Sequence, residues 1–159
     1  MRSGTARIGA SLVAVALVGL ASAGCGAGGP TRPTPKAVTH SQLVGRWDGD
    51  RDCGSPVPVI RLRDDYTFSA KDVPVAWDGP VPDAKVTRLS LDGKWHAVNK
   101  DPGLTPYLVL GYENEHKFLP FYLEHGELRM SGSVVADGGD PYTYPCHYRR
   151  TSADPDFGR

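Results

Sequence analysis

Val59-Ile60-Arg61-Leu62-Arg63-Asp64-Asp65-Tyr66-Thr67-Phe68-Ser69-Ala70-Lys71 decides the fold class. Ile60 and Leu62 fall on one face of an extended chain, and Arg61 and Arg63 on the other. Asp64-Asp65 makes a tight turn. Tyr66, Phe68 and Ala70 then alternate inward against Thr67, Ser69 and Lys71. A period of two on both sides of a turn predicts a β-hairpin. The same period runs outward in both directions, broken by Gly, Pro, Asp and Asn at short intervals. It predicts strands at 43–53, 57–63, 66–71, 85–91, 94–99, 107–112, 118–124, 127–131 and 142–151. Asp92-Gly93 and His125-Gly126 are read as hairpin turns. The segment 72–84, with Pro74, Pro80 and Pro82, is read as a loop carrying Trp77, and 137–141 as a turn cluster. No segment has a helical period. Eight or nine short strands predict an all-β domain, an antiparallel up-and-down barrel that has no free edge once closed. A two-sheet sandwich is the alternative.

The N-terminus follows a different rule. Arg2 and Arg7 precede an apolar run from Ile8 to Leu20, and Ala21-Ser22-Ala23-Gly24-Cys25 closes it with small residues. Charge, short apolar core and small residues in that order describe an export signal. The run is too short for a comfortable transmembrane span of about 20 apolar residues. It resembles the bacterial lipoprotein signal, which implies removal of 1–24 and lipidation of Cys25. Several acyl chains would anchor stably where one would not. The expected location is the extracytoplasmic face of the cell membrane, with free secretion as the alternative. Residues 25–41, rich in Gly, Pro and Thr, read as a tether. The barrel is expected over 42–151, with a flexible tail at 152–159.

The chain has 159 residues and three cysteines, with 18 basic and 18 acidic side chains. That is one domain with no basic run to hold nucleic acid. If Cys25 carries lipid, Cys53 and Cys146 remain as an even pair in an oxidising compartment and are expected to form a disulfide. Two buried thiols are the alternative. Set opposite each other on neighbouring strands, the pair would place Gly49 against Arg150 and Arg51 against Tyr148. Trp47 would then be a diagonal neighbour of Arg150, placed to stack under it.

Gly45-Arg46-Trp47 early in the first strand resembles the G-x-W signature of lipocalin-like (calycin) barrels. The resemblance implies that Gly45, Trp47 and a basic residue of the last strand, Arg150 or Arg149, close the barrel. The run from Arg61 to Phe68 and the Arg149-Arg150 end are also similar to small lipoproteins of high-GC Gram-positive bacteria. That likeness implies location and fold, and no activity.

Candidate chemistry is sparse. Asp48, Asp50 and Asp52 alternate as a solvated strand face would, and the twelve-residue pattern of a calcium loop is missing. His40, His96, His116, His125 and His147 show no ligand spacing, and no nucleophile elbow occurs. Glu113, Glu115, Glu124 and Glu127 are not brought together by any pattern. No catalytic residue, metal or cofactor is expected. The aromatic residues are read as core, with Trp77 at the mouth of a barrel holding a small apolar ligand. The function expected is a monomeric, non-catalytic binding module. The alternative is a structural or inhibitor-like envelope protein whose barrel is filled.

Overall fold

The computed structural model describes residues 32–78, 85–99, 105–132, 134–135 and 143–158. Cys25 lies outside them. In β1 (Gly45–Gly49) Gly45, Trp47 and Gly49 are buried, alternating with half-buried Arg46 and Asp48. β2 (Val59–Leu62) turns Ile60 and Leu62 inward, and β3 (Thr67–Asp78) does the same with Phe68 and Ala70. β4 (Lys85–Val98), β5 (Tyr107–Tyr112), β6 (Glu115–Glu124) and β7 (Glu127–Ser131) follow as antiparallel neighbours. A small ribbon of β8 (Val134–Val135) and β9 (Thr143–Tyr144) precedes β10 (His147–Ser152), which pairs with both β7 and β1. The eight principal strands form a closed antiparallel up-and-down barrel in the order β1-β10-β7-β6-β5-β4-β3-β2. The sandwich alternative is set aside.

Inside, Trp47, Tyr148, Phe68, Phe121, Met130, Leu108, Leu110 and Leu119 are sealed from solvent in one continuous cluster. Cys53 and Cys146 form the expected disulfide. Their geometry differs from the expected one, because β1 stops at Gly49. There Gly49 N–H donates to Pro58 O at 2.8 Å and Asp50 N–H to His147 O at 2.8 Å. Pro56 and Pro58 have no N–H with which to extend a ladder, and residues 51–53 form one 3-10 turn that swings Cys53 inward. The first and last strands therefore pair two residues away from the expected register. Trp47 lies opposite Arg150 and Gly49 opposite Tyr148, while Arg51 is exposed and unpaired in the ladder.

Three other local readings are corrected. Asp92-Gly93 is no turn, since β4 runs straight through it. A side chain at Gly93 would meet Gly111 O at 2.1 Å and Phe68 Cε1 at 3.2 Å, so close approach across three strands claims this glycine. Pairing on both flanks outweighs a local turn signal. Tyr66 is 51% exposed at φ 64°, the end of the turn and not the start of the inward row. The segment expected as a loop after residue 71 continues as β3, past two bulges, to Asp78.

The ordered fold also begins before residue 42. Val38 is buried and exchanges two hydrogen bonds with the Asn99 amide, at 2.8 and 2.9 Å. Leu123 N–H donates to Pro33 O at 2.7 Å, and Arg32 lies 4.5 Å above the Tyr122 ring. After β10, Arg46 Nη1 donates to Phe157 O at 2.7 Å and Arg63 pairs with Asp156 at 3.3 Å.

Trp47→Ala removes the largest sealed side chain and should cost about 3–5 kcal/mol in urea denaturation. Reducing Cys53–Cys146, which closes 93 residues, should cost at most about 4–5 kcal/mol. A disulfide-free chain as stable as the oxidised one would contradict that role.

Candidate binding site at the disulfide end of the barrel

The two ends of the barrel differ chemically. One is plugged by α1 (His40–Leu43), whose Leu43 is sealed in the core. Trp95 Nε1–H reaches Arg63 O at 3.0 Å, and the rings of His40, Tyr66 and Trp95 lie within 5.2 Å of one another. Gly45, Trp47 and Arg150 meet at this end. Trp47 Nε1–H donates to Leu43 O at 2.8 Å, and Arg150 Nη2 donates to Val44 O. A side chain on Gly45 would collide with Ser152 O and with Arg150 Nε. The three residues act by capping the carbonyl end of the plug, which is otherwise short of donors. Arg150 does not stack on Trp47 as expected, because its guanidinium is drawn to that carbonyl.

Outside β1, an open groove of about 670 Å³ is lined by Asp48, Asp50, Asp52, Arg46, Arg51 and Arg149 among others. Its carboxylates already have partners. Arg46 Nε lies 2.7 Å from Asp48, Arg149 Nε 3.8 Å from Asp50, and His147 Nδ1 3.8 Å from Asp52. Thr151 Oγ1–H donates to Asp48 at 2.8 Å. Among the described residues no three His, Cys, Asp or Glu side chains converge as metal ligands. The groove is a self-compensated strand face.

The opposite end holds the disulfide and an unusual set of inward donors. On β6 the inward positions are those that share a face with Leu119 and Phe121, and Lys117 is one of them. It lies opposite the sealed Leu110, while its neighbour Phe118 points outward, 59% exposed. Sequence alone would assign the reverse. The Lys117 amine donates to Pro74 O at 3.0 Å, and burial pushes it down to about 8. Among the described residues no carboxylate offsets the charge. Glu115, next on the same face, stays exposed and acts instead on Tyr112, whose hydroxyl is pushed up chiefly by burial.

Tyr148 is sealed on β10, and its ring crosses Gly132. A side chain there would meet Tyr148 Cε2 at 2.4 Å and Leu119 Cδ2 at 3.3 Å. The ring thus leans toward the wall that carries Lys117. Its hydroxyl is buried with no hydrogen-bond partner, and burial pushes it well above the usual phenol range, against a weaker pull from Arg88. Arg88 spans this end of the barrel. It donates to Pro56 O at 3.1 Å, to Asp72 O at 3.0 Å and to Cys53 O. Arg88 lies opposite Pro74, whose carbonyl accepts from Lys117, in the β3–β4 ladder, and Arg88 is the charge that acts on the Tyr148 hydroxyl.

Trp77, expected in a mouth loop, stands on β3 with its backbone opposite Val86. Its side chain lies outside the described residues. Sequence reasoning missed Lys117 and Arg88 altogether, and placed Tyr148 only among core aromatics. The available signal was Lys117 two residues before Leu119, in step with Leu119 and Phe121. No protein-family model matches the chain, and no curated protein or solved structure matches it.

A lysine whose folded pKa is lowered binds fewer protons folded than unfolded from about 8 to 10.5. Stability contributed by this group therefore rises with pH across that window. The penalty is complete below it and on the order of 3 kcal/mol. Lys117→Met should stabilise the protein at pH 7 and flatten the rise between pH 8 and 10. Tyrosine ionisation in the unfolded chain works the other way above 10. Equal pH profiles of the two proteins in chemical denaturation would contradict a buried amine.

Proposed function

We propose that the chain is a lipid-anchored cell-envelope protein, held through Cys25, whose barrel is a non-catalytic binding module of lipocalin-like type. The observation that carries the binding reading is the sealed Tyr148 hydroxyl beside the disulfide, which has no hydrogen-bond partner. Among the described residues the Lys117 amine meets Pro74 O and no carboxylate. A buried polar group left without a partner can be met by an acceptor supplied from elsewhere.

The lipocalin-like reading draws on the closed eight-stranded topology, with Gly45 and Trp47 in its first strand and Arg150 in its last. The middle of the barrel is filled by its own side chains. That observation favours a second reading, an envelope interaction protein acting through its outer face. It also limits any ligand to a small molecule near the disulfide end. A deep apolar hold for a long lipid does not fit beside Trp47, Phe68 and Phe121.

Cys25→Ala should move the protein from the membrane fraction to the medium. Retention in the membrane would remove the anchor from this reading. Native mass spectrometry of protein extracted from its own membrane should find acyl chains on Cys25. A small bound molecule in that spectrum would favour the binding module over the surface reading.

A further inference from the structure

We propose that the outward face of β4, β5 and β6 docks on the lipid bilayer to which Cys25 anchors the chain, with Phe118, Tyr107 and Pro120 meeting the headgroup region. This rests on the anchor reading above and is independent of any ligand in the barrel.

The face stands apart from the rest of the outer wall. Cross-strand partners share a side of a sheet. With Leu108 and Leu110 turned inward, Tyr107 and Val109 point outward. Their partners set two rows across three strands, Val98–Tyr107–Pro120 and His96–Val109–Phe118. No carboxylate stands in either row. Phe118 is 59% exposed, and Pro120 and His96 are exposed too. The Tyr107 and Phe118 rings meet edge to face at 5.8 Å, and His116 stacks on Phe118 at 6.5 Å. Rings braced in this way lose little freedom on contact with a surface. The outward row that leaves β6 in the other direction is Tyr122, Arg129, Arg149 and Asp48. On β2 and β3 the outward positions include Arg61, Ser69 and Lys71. Charge covers those walls and stops at the border of this one, at Lys94.

The tether meets the barrel on the same side. Arg32 lies 4.5 Å above the Tyr122 ring, and Pro33 O accepts from Leu123 N–H at 2.7 Å. Tyr122 belongs to the outward row of β6 that carries Phe118 and Pro120. Along a strand, Tyr122 and Phe118 are about 14 Å apart. Seven residues join Cys25 to Arg32. Fully extended, such a chain spans at most about 25 Å. A lipid on Cys25 therefore keeps the bilayer within that reach of Arg32, and the face beside Arg32 is the one held toward it.

The chemistry of the face suits that surface. Amphipathic rings collect at membrane–water interfaces. A face without carboxylates, with Arg32 exposed at its edge, meets anionic headgroups without repulsion. A patch of this size holds weakly alone, and a short tether supplies the local concentration it needs. A second copy or a soluble partner would have no such tether to this face.

The test uses the full lipidated chain in phosphatidylcholine–phosphatidylglycerol vesicles whose acyl chains are brominated near the headgroup, where bromine quenches nearby tryptophan. Phe118→Trp puts a reporter in the face. Lys71→Trp puts one at an exposed position on β3, three strands round the barrel. The emission added by Phe118→Trp should be quenched at least about twofold more than that added by Lys71→Trp. Adding His116→Glu and Pro120→Glu, both at exposed positions, should abolish the difference without lowering the melting temperature. Equal quenching at the two reporters, or a difference that survives the two glutamates, overturns docking and leaves the anchor standing, provided the chain floats with the vesicles. A chain that does not float with them removes the anchor and the proposal together. The Cys25→Ala chain, free of lipid, should sediment as a monomer. A dimer that Phe118→Glu dissociates would give the face to a second copy and overturn the proposal.

Discussion

Two carbonyl groups at the end of a one-turn helix hold the closure of this barrel together. Leu43 O and Val44 O have no partners within so short a helix, and they lie over the sealed core. Trp47 from the first strand takes one and Arg150 from the last takes the other. These two residues are also direct cross-strand partners in the β1–β10 pairing. The closure of the sheet and the sealing of its end are therefore a single arrangement. Loss of Trp47 would leave the buried Leu43 carbonyl unsatisfied, and loss of Arg150 would leave Val44 O to water, each also weakening the first-to-last strand contact. Gly45 belongs to the same arrangement, because Ser152 and Arg150 fill the space its side chain would need.

Strand periodicity made the architecture legible because a half-buried strand writes its two faces into alternate residues. The hairpins at Asp64-Asp65 and His125-Gly126, the compact strand from Tyr107 to Tyr112 and the pairing of Cys53 with Cys146 all lie where the sequence puts them. Non-local demands were illegible. Asp92-Gly93 reads as a turn from its own two residues, yet Phe68 and Gly111, from strands on either side, occupy the space around Gly93. The register of β1 against β10 cannot be read from the cysteine pair, because Cys53 reaches its partner from a separate turn and not from within the ladder. The candidate site was the least legible part. Lys117 and Phe118 exchange the faces that hydropathy assigns them, and the local trace of that exchange is the two-residue step that joins Lys117 to Leu119 and Phe121.

β6 serves both faces of the wall. Inside, it carries Lys117, Leu119 and Phe121 toward the core. Outside, its last residues lack a partner from β5, which begins opposite Pro120. The vacant positions are filled from elsewhere in the chain: Pro106 O accepts from Phe121 N–H at 2.9 Å and Pro33 O from Leu123 N–H at 2.7 Å. The segment from residue 32 therefore completes a sheet edge, and its Arg32 covers Tyr122. Open edge groups invite foreign strands, so this stretch of low complexity protects the barrel where β6 runs on beyond its pairing with β5.

The energetics explain why an inward charge can persist. Holding the Lys117 amine inside costs on the order of 3 kcal/mol at neutral pH, a large part of the 5–15 kcal/mol or so by which ordinary domains are stable. The compensation lies at the same end of the barrel. The disulfide contributes at most about 4–5 kcal/mol by restricting the unfolded chain. Arg88 ties Cys53, Pro56 and Asp72 to β4 through their carbonyls. A region carrying an uncompensated charge would otherwise be the first to open. Cross-linking there, and not at the helix end, places the strongest restraint at the end of the barrel that holds the least favourable group.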